Sequence, residues 1–599
     1  MAWARTGAAV TDDDRIGRDE AGAVLRRTLE MLRPYRRGLL AAVAVLVVYT
    51  ASLEAGPLIV GVVVNHGLVG GHRSARVVEV GAIAYISVAM VMGVAERAQI
   101  LMVNRVGESF LRDLRIRVFD HILSLSMPFF DREQTGRLVA RMTSDIDALE
   151  MLVQQGLLVF VTSALLFSTV LVVMAVLSPL LFVVTLVVVP PVVVSSQRFR
   201  RDSNAAYLVV RDRIGQTLSA LQESLAGVRV VQAFGREREQ HERFRARNEA
   251  QYEANVHAVR ISARYFPTVE LASVAATAII VVVGGLMVHA HLTQVGTVTS
   301  FILYLGLLID PIQQVSQLFN LVQQSGAALH KLYGLLDVAP DVAERRGALD
   351  LPRGGDLVVA EVGFRYRPDL DPVLDDVTIA VPHGSRLALV GPTGAGKSTL
   401  AKLMARFYDP TDGRVTYGGV DLRDATLASL RRRVVVVPQE GFLFHGTLLD
   451  NVRIAAPGAS DDDVRQALRT IGAEARFDAL PDGLLTEVRE RGSRLSAGER
   501  QLVSLARAAL ADPDVLILDE ATSNLDPGTE ADVEVAMGAL MHGRTVIVIA
   551  HRLSTAQRAD AVAVVDAGGV VEHGSHDQLV ARGGPYAALF AVWAGAPTG

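Results

Sequence analysis

The sequence predicts a membrane all-α domain of six transmembrane helices with long cytoplasmic helical extensions, followed by an α/β domain. Three observations carry this. Residues 1–325 hold six apolar runs, each close to the roughly 20 residues that cross a hydrocarbon core as a helix. Arginine gathers on alternate sides of these runs, as it does on cytoplasmic faces. Beyond Ala339 the texture changes: Pro340, Pro352, Gly354 and Gly355 mark a linker, after which strands alternate with helices.

Composition sets the frame. With 599 residues, 50% of them apolar, the chain is too oily for a soluble protein of its charge content. The net charge of -5 is small for this length and argues for no nucleic-acid partner. Cysteine is absent, which excludes disulfides, thiolate metal sites and cysteine nucleophiles. Lysine occurs only at Lys331, Lys397 and Lys402, an arginine bias that points to a GC-rich bacterial genome. The first 20 residues, Asp12, Asp13 and Asp14 among them, lack the apolar core of a signal peptide, so residues 1–22 are expected as a cytoplasmic tail.

The six spans centre on Leu39–Val60, Val77–Ile100, Leu157–Leu177, Leu180–Val194, Val269–Val288 and Val298–Leu321. Only Ser178 and Pro179 separate the third from the fourth, so these two form a tight hairpin. Arg26, Arg27, Arg33, Arg36 and Arg37 precede the first span, and Arg112, Arg115, Arg117, Arg132, Arg137 and Arg141 lie between the second and third. A longer basic series from Arg198 to Arg264 separates the fourth from the fifth. The opposite loops carry only Arg73 and Arg76, so both termini face the cytoplasm.

Both cytoplasmic segments are too long for turns. Their apolar residues recur at helical spacing, as Val118, Ile122 and Leu125 do in one and Leu218, Leu221 and Leu225 in the other. The spans should therefore run on past the membrane and bend at breaker-rich stretches, residues 127–137 and 223–235. A loosely folded soluble insertion is the competing expectation. The domain plan is a six-span region over 23–335, a linker over 336–355 and an α/β domain over 356–599.

In that last domain Gly391, Pro392, Thr393, Gly394, Ala395, Gly396, Lys397 and Ser398 match G-x-x-x-x-G-K-[ST], between a strand at Leu387–Val390 and a helix opened by Thr399. Such a loop turns backbone N–H groups toward a β-phosphate, while Lys397 reaches the β and γ phosphates and Ser398 ligates Mg²⁺. Alone, the motif says only that ATP or a related triphosphate binds. The apolar run Val515–Leu518 reads as a buried parallel strand ending in Asp519 and Glu520, at the sheet edge where open α/β folds place ligands. Asp519 is placed to hold Mg²⁺ and Glu520 to polarise the attacking water.

Over nearly its whole length the chain resembles the ATP-binding cassette (ABC) family, in the order of an exporter half-transporter. The resemblance makes Leu495–Glu499 the signature, Gln439 the Q-loop residue with a share in the metal site and catalysis, and Ser523–Asp526 the D-loop, with Asp526 at its end. It also makes His551 the switch histidine, Tyr366 the aromatic that stacks on adenine and Glu490 a coupling residue. Phe129–Gly136 and Glu223–Val230 fall where family exporters have intracellular coupling helices. Ser496, Ala497, Gly498 and Glu499 would open a helix whose N-terminus binds the γ-phosphate held by a second subunit, so a dimer is implied. Plain strand-face packing of Tyr366 beside Val362 and Phe364, and a surface role for His551, are the ordinary alternatives.

The signature departs from the family's usual Leu-Ser-Gly-Gly-Gln at Ala497 and Glu499. A positive φ at 497 would cost alanine about 1–2 kcal/mol, and Glu499 brings negative charge toward a phosphate site. A complete loop half beside an altered signature resembles one subunit of a heterodimer, homodimerisation staying open. Glu54, Glu270 and Asp310 are expensive in lipid, so they should face the bundle interior, along a substrate path or in helix packing.

These features predict an ATP-hydrolysing exporter subunit in a bacterial cytoplasmic membrane, moving an amphipathic or hydrophobic small molecule, lipid or peptide through the bilayer by alternating access. Import by the same fold, an ATP-gated non-pumping membrane protein and a soluble ABC ATPase are the alternatives; the six spans argue against the last.

Overall fold

A computed structural model of the chain describes residues 26–27, 30–69, 74–187, 189–439, 441–489, 492, 494–519, 527–550 and 552–595. Two compact units emerge: Met1–Leu123 with Thr135–Val338, and Ser124–Gln134 with Ala339–Gly599. Residues 124–134, expected within the membrane region, thus pack as part of the second unit.

The first unit is helical. Besides short helical turns that include Thr135–Ala140 and Ile146–Met151, its elements are α1 (Arg36–Val63), α2 (Ala75–Ser124), and, after the short α3 (Met127–Arg132) that belongs to the other unit, α4 (Leu157–Leu177), α5 (Pro179–Leu186), α6 (Val189–Ala226), α7 (Val228–Ala233), α8 (Glu237–His289) and α9 (Val295–Leu336). The 50 residues of α2 span about 75 Å at 1.5 Å each, more than twice the roughly 30 Å hydrocarbon core. Helical extension is therefore the observed form of both long segments between spans, and the loosely folded insertion is not.

Among the described residues, four helical runs are long and apolar enough to cross a membrane: Glu30–Leu68, Ala75–Ser124, Thr135–Leu177 and Glu237–His289. The sixth predicted span falls in α9, whose apolar part is Val295–Leu308. The fourth falls on α5, which ends at Leu186, and α6, which begins at Val189; Val188 lies outside the described residues. The hairpin before it forms as expected, with Ser178 extended at φ -158° and Pro179 opening α5.

Packing inside this unit joins α4, α8 and α9. Val170 and Met174 of α4, Val269 and Ala276 of α8, and Phe301 and Tyr304 of α9 are fully or almost fully buried. Val118, Ile122 and Leu125 are buried as their spacing predicts, whereas Leu218, Leu221 and Leu225 lie exposed on this subunit. The α6–α8 contact uses Ala206, Val210 and Ala258 instead.

In the second unit a four-stranded antiparallel sheet runs β2 (Leu374–Val381), β1 (Leu357–Phe364), β4 (Asp412–Tyr417) and the short edge strand Val420–Asp421. A six-stranded sheet contains β3 (Arg386–Val390), β5 (Val434–Val437), β6 (Val515–Asp519), β7 (Thr545–Ile549), β8 (Ala561–Asp566) and β9 (Gly569–Gly574), in the order β9-β8-β3-β7-β6-β5. All but β9 run parallel, and their continuous apolar runs are covered on both faces. Ile549 lies opposite both Leu389 and Asp519, and Val437 opposite Leu518. The ends of β3, β5, β6 and β7 therefore share one edge.

Candidate nucleotide site

That edge assembles the motifs. Gly391 follows β3, Gln439 stands two residues beyond β5, Asp519 closes β6, and the chain reaches His551 one residue after Ala550, whose N–H donates to the Leu389 carbonyl at 3.0 Å. Glu490, Glu520, Asp526 and His551 lie outside the described residues. Gln439 is exposed there.

The loop from Gly391 turns into α10 (Lys397–Met404) through Gly394 and Gly396, at φ 86° and 108°. Gly391 is dictated by space as well, since a Cβ would overlap the Val565 carbonyl oxygen of the adjoining strand. Lys397 is 6% exposed, and its ammonium donates to the carbonyls of Gly391 and Pro392, each at 2.8 Å. Burial pulls its pKa below the usual lysine value, and the charge of Asp519 opposes that pull. Cation and carboxylate thus face the same loop, with the exposed Ser398 in the first turn of α10. Such a pairing suits a triphosphate and a hard cation bound through oxygen.

Tyr366 stands two residues beyond the end of β1 rather than on the strand face. Its hydroxyl is 2.9 Å from the Thr399 hydroxyl on α10, and its ring meets Phe364 and Tyr408 edge to face, at centroid distances of 4.9 and 5.2 Å. Here α3 enters, a feature that sequence reasoning places only as a coupling region. Asp131 of α3 accepts from Tyr408 at 2.6 Å and from the Lys402 ammonium at 3.1 Å. Lys402 shares α10 with Lys397 and lies 5.9 Å from the Tyr366 centroid. Burial pushes the Asp131 pKa upward, and the Tyr408 and Lys402 donors together outweigh it and hold it below the usual carboxylate value.

The signature forms the start of α12 (Ala497–Ala511), after α11 (Glu474–Asp478). The positive φ that would strain alanine at 497 is absent: Ala497 is the first helical residue and takes helical backbone, which suits alanine. Ser496 and Glu499 form a reciprocal capping box, with the Ser496 N–H donating to Glu499 at 2.8 Å and the Glu499 N–H to Ser496 at 3.2 Å. Arg476 of α11 approaches Glu499 at 3.5 Å. The charge expected to be unfavourable therefore has a counter-charge, on a helix that no motif singled out.

The three intramembrane acids separate. Glu54 is buried on α1, where it accepts from Thr169 of α4, and its carbonyl accepts from Tyr304 at 2.6 Å. Glu270 is exposed on this subunit, and its neighbour Val269 takes the inward position on α8. Asp310 falls on α9, and its side chain is outside the described set.

Residues 39–312 match the ABC transporter transmembrane region, and residues 374–523 match the ABC transporter family. An uncharacterized ABC transporter ATP-binding protein of Bacillus subtilis, YknV, is 36% identical, covering 97% of this chain and 96% of that one. A lipid A-core flippase of Syntrophus aciditrophicus is 32% identical over 86% of this chain and 85% of its own. A multidrug efflux ATP-binding/permease protein of Mycobacterium bovis is 34% identical over 94% of this chain, which spans only 47% of that longer protein. The structure of a bacterial Atm1-family ABC exporter with ATP bound superposes with a TM-score of 0.78 at 29% identity, over 94% of this chain and all of that one. These likenesses support export and give no support to import. With its membrane and ATP-binding regions fused, the chain belongs to the ABC transporter family, as an exporter-type subunit that hydrolyses ATP.

Proposed function

We propose that the chain pairs with a second, non-identical half-transporter in a bacterial cytoplasmic membrane and exports an amphipathic or hydrophobic molecule. The observation that carries the ATP chemistry is the buried Lys397 facing the same loop as Asp519 at one sheet edge. Relatives named for multidrug efflux and lipid A-core flipping support an amphipathic cargo. The unlike partner is supported by the altered signature, Ala497 and Glu499, beside a complete phosphate loop.

In this reading residues 1–22 are the tail, 23–335 the membrane region, 336–355 the linker and 356–599 the cassette. The loop Gly391–Thr399 cradles the phosphates and Tyr366 stacks on adenine. Ser398 and Asp519, with Gln439, offer oxygens to Mg²⁺, which neutralises phosphate charge when bound. Glu520 polarises the attacking water, assisted by His551 and Gln439. Ser496, Ala497, Gly498 and Glu499 face the partner's ATP, and Asp526 and Glu490 carry signals between subunits. Glu54, buried between α1 and α4, is the candidate for meeting a cationic headgroup, with Glu270 and Asp310 as further path positions.

Inverted vesicles containing the transporter should accumulate a fluorescent cationic amphiphile when ATP and Mg²⁺ are supplied. Glu520→Gln should abolish accumulation while ATP binding persists. Equal accumulation by Glu520→Gln vesicles would remove hydrolysis-driven export.

A further inference from the structure

We propose that Arg476 is a positioning residue for the phosphate-facing turn of α12, acting through Glu499. The inference rests on the reading that this turn faces the partner's ATP.

Glu499 divides its carboxylate between two seats. One oxygen accepts the Ser496 N–H at 2.8 Å, and the other is 3.5 Å from Arg476 Nε. Arg476 is itself forked. Nη1 donates to Asp532 at 2.8 Å and Nη2 reaches the Thr529 hydroxyl at 3.5 Å, both on α13 (Pro527–Met541). Nε is buried and makes no hydrogen bond among the described residues. Two nitrogens thus hold α13 while the third faces Glu499.

A glutamine at 499 would need none of this. A glutamate puts a second anion beside a helix start that is to receive a phosphate, and the two repel in a partly desolvated turn. Arg476 gives the carboxylate another place to go. As phosphate oxygens meet Ser496 and Gly498, Glu499 gives up the Ser496 N–H and closes on Nε, so its charge stays balanced. The same guanidinium then links the movement to α13, which starts directly after Asp526.

The test is the ATP dependence of hydrolysis by the full-length transporter, purified as assembled in the membrane. Arg476→Leu should raise the ATP KM about tenfold and leave kcat within about twofold, since the uncompensated Glu499 opposes phosphate but not chemistry. Adding Glu499→Gln should bring KM back. A double variant no better than Arg476→Leu alone makes Arg476 a structural strut and overturns the proposal. Ser496→Arg separates the two levels: KM and kcat both unchanged overturn the interface reading and this inference with it, whereas a change in either together with failed rescue overturns only the role of Arg476. Should Arg476→Leu fail to assemble, Glu499→Gln must rescue Arg476→Lys and must not rescue Asp532→Asn. The opposite pattern overturns the proposal.

Discussion

Ala497 illustrates how one residue changes meaning with its backbone. As a substitute for glycine at positive φ it would be strained; at the first position of α12 it is a good helix former. Restoring the family's glycine should therefore not stabilise the cassette. Ala497→Gly is expected to lower stability by up to about 1 kcal/mol, read as a small drop in the thermal unfolding midpoint of the purified protein. A rise in that midpoint would contradict the helical assignment. The phosphate loop, by contrast, was legible residue by residue, because Gly391 to Ser398 are contiguous and each type is needed for a backbone or charge reason. Arg476 was not legible. It acts on Glu499 from a separate helix, and no spacing rule connects them.

At the scale of elements, length and periodicity announced the long helices, yet which face each buries depends on neighbours that a sequence does not name. Val118 and Ile122 turned inward while Leu218 and Leu225 stayed exposed, although both sets follow the same spacing. The attachment of α3 to the second unit was equally hidden, since Asp131 meets Lys402 and Tyr408 from 271 and 277 residues away in sequence. Asp131→Asn should weaken that attachment by about 1 kcal/mol or less, because the half-exposed pair is screened by solvent. The expected result is faster amide exchange over Met127–Arg132. The sign with pH follows from the lowered pKa. Stability is present above the unfolded carboxylate value of about 3.9 and is lost as pH falls through the folded value. Parent and variant should differ at neutral pH and converge in acid.

A second contact between elements is set by two glycines. The Gly296 N–H donates to Asn65 at 2.6 Å and the Ser300 hydroxyl to the Pro57 carbonyl at 2.7 Å, holding α9 against α1. A Cβ at Gly296 would overlap the Gly61 carbonyl oxygen, so the helices meet backbone to backbone. Gly296→Val should cost about 1–3 kcal/mol by forcing them apart. Thermal unfolding in detergent reads this directly, and an unchanged midpoint would show that the crossing is not close.

For the whole molecule, the decisive property of the proposed dimer is that each ATP site takes its loop from one subunit and its signature from the other. In a pair of identical chains any defect in this sequence is repeated in both sites, so Lys397→Ala and Ser496→Arg should each collapse turnover. In an unlike pair they strike different sites. Lys397→Ala disables the site that holds Asp519 and Glu520, and kcat should fall about a hundredfold through loss of phosphate stabilisation. Ser496→Arg disables the site built on the partner's loop, where it hinders ATP-driven closure; there the ATP KM should rise while kcat stays within about threefold. Steady-state ATPase curves of the two purified variants decide between the assemblies: a kcat effect on one side and a KM effect on the other marks the unlike pair, and matching losses of kcat mark the identical one. The amino-acid sequence could state that the loop is complete and the signature altered, but how many sites share each defect is a property of the assembled pair.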